Sequence, residues 1–207
     1  AARMWTWLDR VSNDNAKGEF YLTDLVAIAR ADGARAAAVE CPEAETLGVN
    51  SRIDLAAAEA AFQARRRRAA MEGGATLTAP ETVFFAFDTE LGQDVSLGPN
   101  VVFGPGVRIE SGVEIKAFCH LEGCTIEDRA LVGVGAVVLH EAVVGRGSIV
   151  GANAVVRNGQ VVPPLSMALG VPAVVREGVV AEDTNMINAI VYVERSRQFR
   201  ETLRRID

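Results

Sequence analysis

Two histidines and one glutamate are the side chains with the clearest potential for chemistry. His120 and His140 are the only histidines among the 207 residues, and Glu122 follows the first of them by two positions. An imidazole can serve as a general base or bind a metal ion, and a carboxylate can bind the same ion. A catalytic zinc ion takes three protein ligands and one open water position. We therefore consider His140 as a catalytic base, and His120 and Glu122 as metal ligands. The alternative is that both histidines are ordinary surface residues.

The three cysteines do not suggest a disulfide framework or a zinc site. Cys119 and Cys124 form a C-x4-C pair, and Cys41 is far from both. No second cysteine pair completes the four ligands of a structural zinc ion. We therefore expect reduced thiols in a cytoplasmic protein, without zinc.

Composition excludes several classes of function. The net charge is −6, whereas nucleic-acid-binding surfaces are basic, so we expect no nucleic-acid partner. The run Arg65–Arg68 has two interpretations, a phosphate-binding patch or the solvated face of a long helix. No apolar run approaches the ~18 residues of a membrane span, so we expect no membrane contact.

A six-residue repeat runs through residues 91–167. Apolar residues recur at every sixth position, with one five-residue step from Leu121 to Ile126. A second small or branched residue lies four positions after most of them, and glycine often follows the repeat position directly. The thirteen repeat positions are Leu91, Leu97, Phe103, Ile109, Ile115, Leu121, Ile126, Val132, Val138, Val144, Val150, Val156 and Val162.

A six-residue unit cannot bury its own apolar face. Three units complete one triangular coil, and stacked coils share a continuous core, so thirteen units predict about four coils of a parallel β-helix. The glycines after the repeat positions are expected to supply positive φ at the corners. His120 ends one unit and His140 lies at a turn, so we do not expect them at equivalent places on successive coils.

Helical patterns flank the repeat. Residues 51–74 are rich in alanine and predict a helix of about 21 residues, roughly 30 Å long, capped by Asn50 or Ser51. Two shorter helices are predicted over 2–11 and 21–33.

Two further elements are predicted. The apolar segment "ARAAAVEC", residues 34–41, predicts a strand. A stripe at helical spacing predicts a last helix within 181–207.

Residues 13–124 resemble one enzyme family. The segments "NDNAKGEFYLTD", "ECPEAETLGVNSRIDLAAAE" and "VVFGPGVRIESGVEIKAFCHLEGC" are similar to the bifunctional UDP-N-acetylglucosamine pyrophosphorylase/glucosamine-1-phosphate acetyltransferase family. The resemblance implies a mainly β fold whose β-helix is left-handed. It also implies four regions, which are the incomplete end of a nucleotidyltransferase-like α/β domain (1–50), a connecting helix (51–75), a left-handed β-helix (76–175) and a C-terminal helix (181–207).

The same resemblance implies one site residue. The asparagine of the family's "GVN-x-R" motif helps to bind Mg²⁺ and the UDP-sugar, and that residue is Asn50 here. An amide oxygen is a suitable neutral ligand for Mg²⁺ beside carboxylates, waters and phosphate. The alternative is that Asn50 only caps the following helix.

Other functional parts of this family have no counterpart in the chain. The family's glycine-rich nucleotide loop, its Mg²⁺ aspartate, and the histidine and "NYDG"-like segment of its acetyltransferase half are all missing from the sequence. We therefore expect that the chain alone does not make UDP-N-acetylglucosamine. His140 is the one candidate base for acyl transfer on the later coils.

Residues 121–207 resemble a second group, the γ-carbonic-anhydrase-like branch of hexapeptide-repeat proteins. The similarity lies in "LEGCTIEDRALVGVGAVVLHEAVVGRGSIVGANAVV" and "VVPPLSMALGVPAVVRE". Two zinc-binding histidines of that branch would fall at Ala117 and Glu122, and a third has no counterpart. Both families carry a five-residue step at the position after Leu121, so this step need not mark an active site. The stretch 119–133 is interpreted as the join between the two resemblances.

These resemblances leave three functions open. They are a part of the UDP-N-acetylglucosamine-forming enzyme, a zinc lyase of the carbonic-anhydrase type, and a structural β-helix without chemistry. The first implies sugar-nucleotide or acyl-CoA substrates, acetyl-CoA among them, and Mg²⁺ as a cofactor. Both resemblances imply a homotrimer.

Overall fold

The computed structural model describes residues 2–182 and Thr184. The chain divides into two compact units, Ala1–Gly48 and Val49–Asp207. The first unit contains helix α1 (Ala2–Leu8), helix α2 (Asp24–Ala31) and a short 3-10 helix (Glu43–Glu45). Both predicted helices of this region are therefore present.

Asp32, directly after α2, ties the two helices of the first unit together. Its Oδ2 accepts hydrogen bonds from Trp7 Nε1 at 2.8 Å and from Arg10 Nη1 at 2.6 Å. The hydrogen bond from Trp7, followed by that from Arg10, lowers the pKa of the Asp32 carboxyl.

The prediction of a strand over residues 34–41 is wrong. These residues form no regular element, and Val39 is 90% exposed. A strand needs a partner for its backbone N–H and C=O groups. The rest of the described part of this unit consists of helices and turns and provides no such partner.

The second unit begins with helix α3 (Arg52–Glu72), which has the predicted length of 21 residues. Ser51 is the residue before its first turn, and its hydroxyl accepts a hydrogen bond from the backbone N–H of Asp54 at 3.1 Å. Ser51, rather than Asn50, therefore caps α3.

Short strands follow α3 at nearly regular intervals. They are β1 (Thr76–Leu77), β2 (Glu90–Leu91), β3 (Ser96–Leu97), β4 (Val102–Phe103), β5 (Arg108–Ile109), β6 (Glu114–Ile115), β7 (His120–Leu121), β8 (Thr125–Ile126), β9 (Leu131–Val132), β10 (Val137–Val138), β11 (Val143–Val144), β12 (Ile149–Val150), β13 (Val155–Val156), β14 (Val161–Val162), β15 (Met167–Leu169) and β16 (Val174–Arg176).

Three sheets form the faces of a parallel β-helix. The first sheet has the order β1-β3-β6-β9-β12-β15-β16, the second β4-β7-β10-β13, and the third β2-β5-β8-β11-β14. Every pairing is parallel except that of β15 with β16. The predicted fold class, a mainly β left-handed parallel β-helix of hexapeptide repeats, is confirmed.

The repeat positions point into the core. Twelve of the thirteen are at most 3% exposed, and Leu91 packs against the same core while partly buried. The small residues four positions later also point inward, as Val95 and Ala130 show at 0% and 1% exposure. Each unit therefore contributes two apolar side chains to the interior.

The number of coils exceeds the prediction of about four. The β-helix has about five turns, because an additional coil precedes Leu97. Its inward residues are Leu77, Phe85 and Leu91, and the ring of Phe85 stacks on that of Phe103 at 5.2 Å. The six-residue pattern includes Leu91 but misses Leu77 and Phe85, because the 3-10 helix Pro80–Thr82 lengthens the spacing between them.

The role predicted for the repeat glycines is also wrong. Gly92, Gly98 and the other glycines after repeat positions do not have positive φ. A Cβ on Gly98 would lie 2.6 Å from the backbone nitrogen of Ala117 on the next coil. These glycines permit close stacking of successive coils, and the positive φ values fall two residues later, at residues such as Asp94 and Asn100.

Helix α3 covers the open end of the β-helix. Gln63 is 3% exposed, donates a hydrogen bond to Phe85 O at 2.8 Å and accepts one from Phe85 N at 2.9 Å. Arg66 Nη2 donates to Thr89 O, and Arg67 Nε donates to Val83 O. Two of the four arginines thus bind backbone carbonyls of the first coil, so the run is neither purely solvated nor a free phosphate-binding patch.

Two further sequence expectations concern the C-terminal helix and a membrane span. The C-terminal helix predicted within 181–207 lies outside the described residues, apart from 181, 182 and 184. Among the described helices, none is both long and apolar enough to cross a membrane.

Candidate functional site

The candidate site lies at the corner where the second sheet turns into the third. This corner usually contains four residues between strands, as in 104–107 and 139–142. Between β7 and β8 it contains only three, Glu122, Gly123 and Cys124. The five-residue step in the repeat is therefore one shortened corner, and it leaves the strand register intact: Leu121 pairs with Val138 below it.

The shortened corner brings the three predicted side chains together. His120 and Glu122 are two residues apart at the end of β7, where alternate side chains point to the same side. His120 Nε2 lies 2.7 Å from Glu122 Oε1, and His140 Nε2 lies 3.1 Å from Glu122 Oε2. His140 lies on the next coil, so the carboxylate of Glu122 bridges two coils.

Gly123 makes room for the ring of His140. A Cβ on Gly123 would lie 2.6 Å from His140 Nδ1, and the φ of Gly123 is +49°. The backbone reinforces the contact, because Glu141 N donates to Gly123 O at 2.8 Å. A side chain at position 123 would displace the imidazole, which explains why this position requires glycine.

The carboxylate of Glu122 determines which nitrogen of each imidazole donates. An ionised carboxylate only accepts hydrogen bonds, so the Nε2 that faces Glu122 is the donor in each ring. When a ring is neutral, its Nδ1 keeps the lone pair that can accept a second proton. The pair His140–Glu122 therefore has the arrangement of a general base oriented by a carboxylate.

The electrostatics of the corner favour a charged glutamate. The hydrogen bond from His120 lowers the pKa of the Glu122 carboxyl below its ordinary value of 4.5, and the charges of His120 and His140 act in the same direction. The two imidazole rings are half-exposed. The site is thus open to a ligand from solvent.

The proximity of the two histidines was not anticipated from the sequence. They do not occupy equivalent places on successive coils, as expected, and stacking alone would keep them apart. The length of the Glu122 side chain bridges the offset between them. The described residues nevertheless contain no group of three or more His, Cys, Asp or Glu side chains that could hold a metal ion.

The buried thiols belong to the core rather than to the site. Cys119 and Cys124 are each 1% exposed and point inward, and Cys41 is exposed. Burial raises the pKa of Cys119, and it raises that of Cys124 to about 12. A thiol is nucleophilic as its thiolate, so Cys119 and Cys124 are not nucleophiles in the folded chain.

Asn50 lies apart from this corner, at the start of α3. Its backbone N–H donates to Asp54 Oδ2 at 3.0 Å, and that hydrogen bond lowers the pKa of Asp54. Since Ser51 supplies the cap, the exposed amide of Asn50 has no hydrogen bond within the described part of the chain. One neutral oxygen does not make a Mg²⁺ site, and Asp54 is already engaged in the helix cap.

Comparisons with known proteins connect the fold with a family. A family model described as the GMPPB C-terminal domain matches residues 80–197, and this match includes the shortened corner. The bifunctional protein GlmU of Ruegeria sp. (strain TM1040) is 67% identical over 130 residues, 63% of this chain and 29% of that protein. The GlmU of Acidiphilium cryptum (strain JF-5) is 65% identical over 133 residues, 64% of this chain and 30% of that protein.

Solved structures with a similar chain are also known. A putative acetyltransferase from Bacillus cereus is 24% identical with a TM-score of 0.43, covering 64% of this chain and 95% of that one. A serine acetyltransferase solved in complex with CoA is 28% identical with a TM-score of 0.39, covering 42% of this chain and 39% of that one. The chain spans about three tenths of the length of the GlmU relatives it matches.

Proposed function

The chain belongs to the family of the GMPPB C-terminal domain, and we propose that it acts as part of a GlmU-like enzyme that forms UDP-N-acetylglucosamine. The observation that carries the proposal is the 67% identity with a GlmU over 130 residues. In this proposal, the stretch from the first unit through α3 takes part in uridylyl transfer to N-acetylglucosamine-1-phosphate. The reaction also requires a nucleotide loop, which these 207 residues do not contain.

Asn50 is the residue proposed to contact the substrate in this reaction. Asn50 is exposed and Ser51 caps the helix instead, so both polar atoms of the Asn50 amide are available to a sugar nucleotide. Mg²⁺ would need further ligands from the missing nucleotide-binding segment and from the phosphates. The amide oxygen of Asn50 would contribute one of them.

The experiment compares the chain with a fusion that carries the upstream segment of the Ruegeria GlmU. With UTP, N-acetylglucosamine-1-phosphate and Mg²⁺, the fusion should release pyrophosphate and the chain alone should not. In the fusion, Asn50→Ala should lower kcat/KM at least tenfold, whereas Asn158→Ala, at an exposed β-helix corner, should leave it unchanged. Equal activity of the two variants would refute the role of Asn50.

Acyl transfer is a second candidate function, favoured by the pairing of His140 with Glu122. In the proposed step, the amine of glucosamine-1-phosphate attacks the thioester carbonyl of acetyl-CoA. The nitrogen–carbon bond forms as the carbon–sulfur bond breaks, the amine proton passes to His140 Nδ1, and the departing thiolate takes that proton. Glu122 would stabilise the imidazolium formed on the way.

CoA release with acetyl-CoA and glucosamine-1-phosphate tests this candidate. If His140 is the base, His140→Ala should reduce the rate about 100-fold or more, in the range typical of general-base catalysis. Glu122→Gln should also reduce kcat. His120→Ala is the comparison, because it removes the neighbouring imidazole and leaves the His140–Glu122 pair in place. An equal loss in the two histidine variants would contradict the assignment.

A further inference from the structure

After β16 the chain crosses the surface from the first sheet towards the third. Gly178 N donates to Ser166 Oγ at 3.2 Å, and Val180 N donates to Leu165 O at 2.9 Å. Both acceptors lie in the corner between β14 of the third sheet and β15 of the first sheet, and Ser166 is the one next to β15. The step from Ser166 to Leu165 is therefore a step towards the third sheet.

The chain also turns back along the axis of the β-helix. Glu182 Oε1 lies 3.9 Å from Arg146 Nη2. Arg146 belongs to the same corner one coil earlier, in the half that follows β11 of the third sheet. At Thr184 the chain is thus on the third-sheet side of this corner and runs from the last coil towards the first.

The outer face of the third sheet changes from apolar to acidic along this path. An open groove of about 470 Å³ on the early coils is lined by three carboxylates, Glu90, Glu110 and Asp128, and by one cation, Arg108. Glu110 Oε2 accepts from Asp128 N, and Asp128 Oδ1 accepts from Ser111 N, so these bonds use one oxygen of each carboxylate. From the last coil to the first, the outward residues of the sheet are Val161, Val143, Thr125, Arg108 and Glu90.

The sequence after Thr184 changes in the matching order. Residues 186–193, "MINAIVYV", are apolar except for Asn188, whereas residues 195–205 contain five arginines and one glutamate. The 23 residues from 185 to 207 would span about 34 Å even at the 1.5 Å rise per residue of an α-helix. Five coils about 4.8 Å apart rise only about 24 Å. The segment is therefore long enough to reach the groove at Glu90.

We propose that residues 185–207 cover the outer face of the third sheet of their own chain. The apolar part, 186–193, covers Val143 and its neighbour Val161, which removes apolar surface from water. The arginines of 195–205 bind the carboxylates of the groove, because a guanidinium matches a carboxylate in charge and geometry. This contact does not depend on the functions proposed for Asn50 and His140.

Cross-linking of the full chain tests the position of the segment. Cys41→Ser removes the exposed thiol, and Cys119 and Cys124 are buried. In this background, Thr125→Cys on the third sheet and Asn188→Cys should be joined within one chain by a short bismaleimide.

The matched control carries Val137→Cys, an outward position on the second sheet, together with Asn188→Cys. Its yield of cross-linked monomer should be at least tenfold lower, as measured by mass spectrometry of the digested product. Equal yields for Thr125→Cys and Val137→Cys would overturn the proposal. A cross-link that joins two chains instead would place the segment on a neighbouring copy and would overturn it as well.

Neutralising arginines tests the charged part of the contact. Arg200→Gln with Arg204→Gln should lower the Tm by about 2–4 °C at low ionic strength. The loss should disappear in about 1 M salt, where the Debye length is about 3 Å. The control replaces two exposed arginines elsewhere, Arg35→Gln with Arg52→Gln, and should keep the parent Tm. A parent-like Tm in the first variant, or a loss that salt does not reduce, would contradict the pairing.

Discussion

At the scale of single residues, the contacts of Glu122 make the stability of the fold depend on pH. It accepts hydrogen bonds from imidazoles on two coils, and the hydrogen bond from His120 lowers its pKa below 4.5. A carboxyl whose pKa is lower in the folded state stabilises that state above the unfolded pKa. The contribution is lost as the pH falls through the folded pKa.

Replacing Glu122 should therefore change the pH dependence of stability. Glu122→Gln should unfold at a lower denaturant concentration than the parent chain above pH 4.5, and the difference should shrink below that pH. Urea unfolding at several pH values between 3 and 8 measures this. Glu141→Gln, an exposed carboxylate at the next corner, is the control and should follow the parent chain. A Glu122→Gln deficit that stays constant down to pH 3 would contradict the prediction.

The residue types of this site could be predicted from the sequence, but the contacts between them could not. The residue types of His120, Glu122 and His140 were enough to select them as candidates. Their meeting depends on a corner shortened by one residue and on the reach of one carboxylate across two coils. Neither the contact of Glu122 with His120 nor its contact with His140 follows from counting repeat positions, because that count compares only residues at equivalent places on the coils.

At the scale of elements, the repeat was predictable because burial enforces it. The inward positions from Leu97 to Val162 face one continuous core, so a polar residue there is costly unless it is hydrogen-bonded, as Ser148 is to Pro163 O. The first coil has no such regular spacing, and the segment 34–41 has strand-like residues without a partner strand. Local patterns thus identify strands reliably only where the tertiary environment repeats as well.

Gln63 provides a test of how α3 is held on the β-helix. Gln63→Leu keeps a good helix former but leaves the backbone N–H and C=O of Phe85 unpaired under the helix. The free energy of unfolding should fall by about 2–6 kcal/mol, since each of the two buried groups left without a partner costs about 1–3 kcal/mol.

Urea denaturation with linear extrapolation measures this loss. Gln93→Leu, at an exposed corner, is the matched control and should change stability by less than about 0.5 kcal/mol. A loss equally small in Gln63→Leu would show that α3 is held chiefly by other contacts, such as those of Arg66 and Arg67.

At the scale of the whole molecule, the outer faces of the β-helix change character along its axis. The outward residues of the early coils are mostly polar, as in Thr76, Ser96 and Glu114 on the first sheet. On the later coils of the same sheet they are Leu131, Ile149 and Met167. The second and third sheets have outward valines at the same level, including Val161 at 60% exposure. Apolar surface of this extent favours association.

From both resemblances we expect a homotrimer, with the apolar part of the first sheet at its interfaces. Light scattering of the purified chain should give about three times the mass of the 22.0 kDa chain. Ile149→Glu places a charge on the apolar part of the first sheet and should dissociate the assembly, because a buried unpaired charge is costly. Thr76→Glu, on the polar part of the same sheet, should leave the mass unchanged. A monomer in the parent chain at micromolar concentration would contradict the trimer and would mean that these outward side chains remain in water.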